Sequence, residues 1–240
     1  MTAKSGALGS AERAVPNFAS WREFGPLELD PILTHALDAF SESGFHGTTV
    51  RDLAGRVGVT VPALYYHYAS KEAVLVTLLD AAVHDLLGRV TAAVVDGGGD
   101  VVARFANAVD AIVLNMTHRV KQSALDSEVR HISPDNRRAY AATRKRLETI
   151  MCGLVRDGSD ARVFDVGDTE ETVRALLGMC RSVARWYQLD GPLTADEVAR
   201  RYTAIALRIV GYDPDTLRDT NADEAHLVRS RSRGVPRDGA

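Results

Sequence analysis

Apolar residues recur at three- and four-residue spacing in one segment after another, the pattern of helices that bury one face. Asp30-Pro31 opens the first: Ile32, Leu33, Ala36, Leu37 and Phe40 share a stripe, and Gly44 ends it. Val50, Leu53, Ala54 and Val57 mark a second, shorter helix, with Thr49 and Asp52 placed as a capping box. Gly58 supplies the positive-φ residue that ends that helix and turns the chain. Thr60 then stands as N-cap of a third, with Pro62 in the first turn, where a missing N–H costs nothing. Leu64 and Tyr68, four apart, face inward. Val61, Ala63, Tyr65, Tyr66 and His67 are left on the outer faces.

Downstream the helices are longer. Ser70 caps a pattern carrying Val74, Leu75, Leu78, Leu79, Ala82, Leu86 and Val90 to about Val95, a rod roughly 37 Å long at ~1.5 Å per residue. The run Asp96 to Asp100 holds three glycines; it lacks the spacing and the Lys-Ser/Thr of a phosphate-binding loop and reads as a helix connection. Val102, Phe105, Ala106, Val109, Ile112, Val113 and Met116 give the next helix a wide apolar face. Ser133-Pro134 starts another that runs through a basic cluster to Leu154, and residues 158–167 form an irregular link. Asp168 with Glu171, and Thr194 with Glu197, start the last two helices, which end near Tyr187 and Gly211. Both are broadly apolar and exceed what one subunit covers, so they are expected to pair with their copies in a homodimer.

A helix as short as the third buries little by itself, and its outward side chains suit a duplex. In a helix-turn-helix the second helix of the pair enters the major groove and its first residues read base edges. Thr49, Thr60, Tyr65, Tyr66, His67 and Lys71 offer donors to phosphates, while small Val61 and Ala63 permit close approach and contact with a thymine methyl. The bland alternative is a helical hairpin whose tyrosines pack in a core. The whole string GFHGTTVRDLAGRVGVTVPALYYHYASKEAVL, from Gly44 to Leu75, favours the former, because it resembles the N-terminal domain of TetR-family transcriptional repressors over about 45 residues with the preceding helix included.

That resemblance implies an all-α homodimer: an N-terminal three-helix helix-turn-helix domain at 30–72 and a C-terminal helical ligand-binding and dimerisation domain at 73–212. A flexible arm (1–29) and a disordered tail (213–240) flank them. It implies a repressor released from double-stranded operator DNA by a small molecule. Thr49 and Arg51 would touch DNA from the supporting helix and Val61, Pro62, Ala63 and Tyr65 from the reading helix, with Tyr66, His67 and Lys71 serving phosphates. A second resemblance, in ISPDNR, RSVARWY and DGPLTADEVARRY, is to TetR-type regulators of fatty-acid and steroid catabolism that respond to acyl-CoA thioesters. It implies an apolar tunnel lined by Phe105, Val109, Met116, Leu147, Met151 and Trp186, with Arg119, Arg138 and Arg144 meeting the CoA phosphates. Core packing is the competing reading for every apolar member, and a solvated helix face for the basic cluster.

Composition adjusts this picture at three points. Net charge is −3 over 240 residues, and from Asp30 to Lys71 the cations Arg51, Arg56 and Lys71 face Asp30, Asp38, Glu42 and Asp52. DNA affinity must then come from placed donors, helix N-termini and two-fold avidity rather than from a cationic field. A helical ligand-binding or structural protein without DNA recognition stays open on that ground. Cys152 and Cys180 sit among apolar helical residues and read as buried thiols, and no membrane-length apolar run or signal peptide is evident, so a cytoplasmic protein is expected. His118 and His131 lack metal-ligand spacing, and no nucleophile, paired-carboxylate or dinucleotide motif appears, so neither an enzyme nor a cofactor is expected. In the N-terminal arm, Lys4, Arg13 and Arg22 permit a minor-groove contact, and Trp21 and Phe24 are placed to pin a short segment onto the first helix.

Overall fold

A computed structural model describes residues 20–213. The expectations for Lys4, Arg13 and the polar tail beyond Asp213 lie outside the described residues. Among those described, the elements are α1 (Pro31–Gly47), α2 (Val50–Val57), α3 (Val61–His67), α4 (Lys71–Asp96), α5 (Val101–His118), α6 (Val120–Ala124), a 3-10 helix (Leu125–His131), α7 (Pro134–Asp160), α8 (Thr169–Trp186) and α9 (Ala195–Ile209).

Helix starts follow from side-chain caps. The carboxylate of Asp30 accepts from Leu33 N, and the hydroxyls of Thr60, Ser70 and Ser133 accept from Ala63 N, Ala73 N and Asn136 N. Thr49/Asp52 and Thr194/Glu197 close reciprocal capping boxes. Gly44, at φ 70° and ψ 172°, breaks α1 before its last turn. Gly58, at φ 78° and ψ 26°, is the left-handed cap that turns α2 toward α3, a conformation any Cβ would oppose.

Ile32, Leu33, Ala36, Leu37 and Phe40 of α1 bury against Leu53, Ala54 and Leu64, with Leu64 wholly enclosed. This small core continues into a larger one around α5, which packs extensively on α4, α8 and α9. Helix α4, at 26 residues and about 39 Å, runs from the end of α3 into the large bundle. At Gly158 the Phe164 ring occupies the space a Cβ would need, and Phe164 in turn meets Phe105 at 5.1 Å between centroids.

Two expectations change here. Trp21 and Phe24 do pin a segment, but onto α4 and α5 rather than α1. Trp21 donates Nε1 to Asp96, Phe24 stacks on His118 at 4.3 Å, and Arg22 pairs with Asp110 at 3.1 Å. The anchor is a buried ionic cluster that spacing did not reveal: Asp85 holds Arg89 at 3.2 Å and Arg119 at 3.1 Å and accepts from Asn115. The two guanidinium groups also donate to the carbonyls of Trp21, Glu23 and Gly25. Buried charges persist only when so compensated. Arg22 is therefore paired with Asp110 of α5. The second change is at Lys71, whose ammonium donates to the carbonyls of Phe45 (2.6 Å) and Thr48 (2.7 Å) and lies over the Phe45 ring.

Candidate nucleic-acid interface and effector cavity

His46 and Gly47 at the end of α1, the capping residues Thr49 and Thr60, and most of α3 are exposed. On α3, Pro62, Tyr65, Tyr66 and His67 are exposed, Val61 and Ala63 partly so, and Tyr66 stands out at 87%. The Tyr66 ring meets His67 edge-on. Leu64 is the one fully buried residue of the helix and Val61 packs partly against the same core, while the Tyr68 hydroxyl reaches back to Asp30. This division follows from seven residues making barely two turns, so one inward position leaves most of the others to solvent.

Around α3, Thr49, Thr60 and Arg51 are exposed. The Thr49 hydroxyl donates to Asp52 at 2.6 Å and accepts from its N–H, so capping uses both of its functions. The Thr60 hydroxyl accepts from Ala63 N. Arg56 is paired with Glu42 at 2.7 Å. Lys71 is corrected: it closes the carbonyls at the end of α1, and burial lowers its pKa. The orphan carbonyls after Gly44 attract the ammonium inward, a demand that sequence spacing does not display.

In the C-terminal bundle, a cavity of about 680 Å³ opens between α4, α5, the α6–3-10 segment, α7 and α8. Val83, Leu86, Ile112, Met116, Leu147 and Leu177 supply apolar wall; Asn115, Gln122, Ser123, Asp126, Ser127, Tyr140, Arg144, Arg181 and Arg185 supply polar wall. Asp126 accepts from the Tyr140 hydroxyl and pairs with Arg144 at 2.7 Å. Burial first, then the Asp126 charge, raises the Tyr140 pKa far above the ordinary phenol range, so it stays a donor. Desolvation and then the Arg144 charge lower the pKa of Arg181. Among the described residues neither Arg181 nor Arg185 forms an ion pair.

Of the residues expected at a ligand, Met116, Arg144 and Leu147 line this cavity. The others stand elsewhere. Phe105, Val109 and Met151 are packed in the core, Phe105 against Phe164. Trp186 is 44% exposed and stacks on Tyr202 at the outer face of α8 and α9. Arg138 is exposed and paired with Asp135, and Arg119 is buried on Asp85. The reason is geometric: α5 is buried on nearly every side, so its periodicity cannot say which stripe meets a void. Asp126, Tyr140, Arg181 and Arg185 were missed as site residues. The only signal for them was two arginines four apart in RSVARWY and one tyrosine in the basic run.

Trp186, Leu189, Ile205 and Ile209 leave apolar surface exposed at the end of α8, just beyond it and on α9. Among the described residues no helix is long and apolar enough to cross a membrane.

Residues 32–78 match the model of bacterial regulatory proteins of the tetR family, and residues 98–210 match that of the tetracyclin repressor-like C-terminal domain. The HTH-type transcriptional repressor KstR2 of Rhodococcus jostii is 30% identical over 184 residues, 73% of this chain and 87% of that protein. The chain belongs to the TetR family. TetR-family architecture is also seen in the ketosteroid transcriptional regulator KstR2 of Mycobacterium tuberculosis, with a TM-score of 0.68 and 26% identity over 76% of this chain and 95% of that one. AibR, solved with isovaleryl coenzyme A and operator DNA, shares the fold at a TM-score of 0.68 and 20% identity, over 76% and 97% of the two chains. The first match takes in α1 from its second residue, α2, α3 and the start of α4. The second takes in all of α5 to α9.

Proposed function

We propose that this TetR-family chain is a homodimeric repressor that leaves its operator when an anionic amphiphile, such as an acyl-CoA, fills the cavity. The observation that carries the reading is the exposed face of α3, a helix with one fully buried residue, Leu64, that follows directly on a capped and turned α2. Thr49, Arg51, Thr60, Val61, Pro62, Ala63, Tyr65, Tyr66 and His67 are the proposed DNA contacts, with Lys71 positioning rather than touching. The boundaries remain 30–72 for the reading domain and 73–212 for the effector and dimer domain. Exposed apolar groups on α8 and α9 suit an isologous interface, which sets two reading heads about 34 to 36 Å apart on successive major grooves. The cavity's apolar wall and its three arginines, Arg144, Arg181 and Arg185, suit an acyl chain ending in an anion. KstR2 relatives are named as repressors, and AibR was captured with a CoA thioester. Nothing in this role calls for catalysis, and the protein is read as a non-enzyme of the cytoplasm.

The test is a fluorescence-anisotropy titration against an inverted repeat from the promoter of the protein's own gene. Salt-dependent binding that weakens at least tenfold in Tyr65→Ala is expected. A protein that binds this duplex no better than random sequence, or a monomer in sedimentation, would leave a helical ligand-binding protein without DNA recognition.

A further inference from the structure

Asp126 occupies an unusual place. It lies at the start of the 3-10 helix, lines the cavity, and holds the two donors there, Tyr140 and Arg144, that an anionic ligand would need. The other end of the same seven-residue helix is fastened to the reading domain. Glu128 accepts from the N–H of Phe45, His131 Nδ1 lies 2.9 Å from His46 Nε2, and the His131 ring stacks on Phe45. Phe45 and His46 belong to the last turn of α1, and two residues on, Thr48 gives its carbonyl to Lys71. Lys121 on α6 adds a pair to Asp38 of α1 at 2.7 Å. Segment 120–131 therefore walls the cavity and grips α1 at once.

Resting on the effector reading above, we infer that Asp126 is a built-in surrogate for the effector's anionic group, and that the effector acts by displacing it. An incoming carboxylate or phosphate takes the hydrogen bonds of Tyr140 and Arg144, aided by Arg181 and Arg185 on the same wall. Asp126 is then expelled, since two anions at one guanidinium repel in a partly desolvated site. The 3-10 helix loses its cavity-side anchor. A helix of i→i+3 hydrogen bonds is short-lived without tertiary support, so its loosening reaches Glu128 and His131 and frees the end of α1. Coupling requires that the ligand favour one state over the other, and competition with Asp126 provides that difference. A neutral ligand of the same shape fills the cavity without the displacement.

The mechanism predicts opposite signs for two affinities. In Asp126→Asn the competing charge is gone. Binding of decanoyl-CoA or of decanoate, followed by calorimetry, is expected to tighten about tenfold, while affinity for the promoter duplex falls severalfold without any effector. Hydrogen exchange supplies a readout independent of DNA: in the wild type the active anion speeds exchange at residues 125–131 and at the Phe45 amide, and decanamide does not. Glu128→Gln tests the far end, where anion affinity is unchanged and release of DNA is blunted. The carboxylate, its thioester and CoA alone separate a carboxyl from a phosphate source, and either active anion supports displacement. If Asp126→Asn matches the wild type in both affinities, or decanamide loosens residues 125–131 as the anion does, displacement is wrong while the repressor reading stands. If no probe binds the wild type, the effector reading fails and displacement with it; if anions bind and exchange changes but no duplex is bound, DNA recognition alone fails.

Discussion

The reading domain and the effector cavity solve opposite problems with the same element. In the first, short helices are fixed by caps and one small core, so nearly every residue not facing inward is available to a duplex. In the second, long helices bury most of their circumference, and function sits where packing leaves a void. A residue's role in the reading domain follows from its position within its own helix. In the cavity it follows from which neighbours happen to withdraw. The cost of an error differs accordingly: outer positions of α3 bear on affinity, whereas bundle positions bear first on stability.

The largest effect that tests this contrast is at Asp85. Asp85→Ala strands Arg89 and Arg119 in the interior, and the expected loss is about 3–5 kcal/mol of unfolding free energy, read from urea titration. A loss under 1 kcal/mol would mean that segment 20–30 is not held as described. Next is a matched pair in α3. Leu64→Ala removes a fully enclosed side chain and is expected to cost about 2–4 kcal/mol, whereas Tyr66→Ala is expected to stay within about 0.5 kcal/mol while weakening operator binding at least tenfold. If both variants lose stability alike, the outer face of α3 is packed rather than presented.

Cavity filling gives a sharper, smaller separation. Ala184→Phe introduces a ring at a lining position; effector affinity should drop about tenfold with operator affinity unchanged. The gentlest perturbation is pH. His131 has its pKa lowered by desolvation first, then by the His46 and Arg130 charges, against an opposing pull from Glu128. The folded pKa lies below the unfolded one, so this contribution is whole above the unfolded value near 6.5 and declines as pH falls through that value toward the folded one. A modest rise in Phe45 amide exchange between pH 7 and 5.5, absent in His131→Gln, is the expected signature.

How much of this was legible in the chain depends on distance along it. Thr49 with Asp52, Gly58, Thr60 with Pro62, and Thr194 with Glu197 each act within four residues, and each folded as its spacing implied. Lys71 misled because its partners, the carbonyls of Phe45 and Thr48, lie more than twenty residues away. Phe105 and Met151, for which the resemblance implied a tunnel and core packing was the competing reading, are packed in the core, and apolar spacing is the same for a core and for a cavity wall.

Local rules therefore decided the helices, their caps, the short reading helix and its outward residues, since hydrogen bonding and periodicity are settled within a few turns. Only the tertiary structure decided where charge goes. It drew Lys71 and Arg119 inward to unsatisfied partners and gathered Asp126, Tyr140 and Arg144 at one wall. A buried charge is tolerated only where distant groups compensate it, and that compensation exists only once the helices have packed.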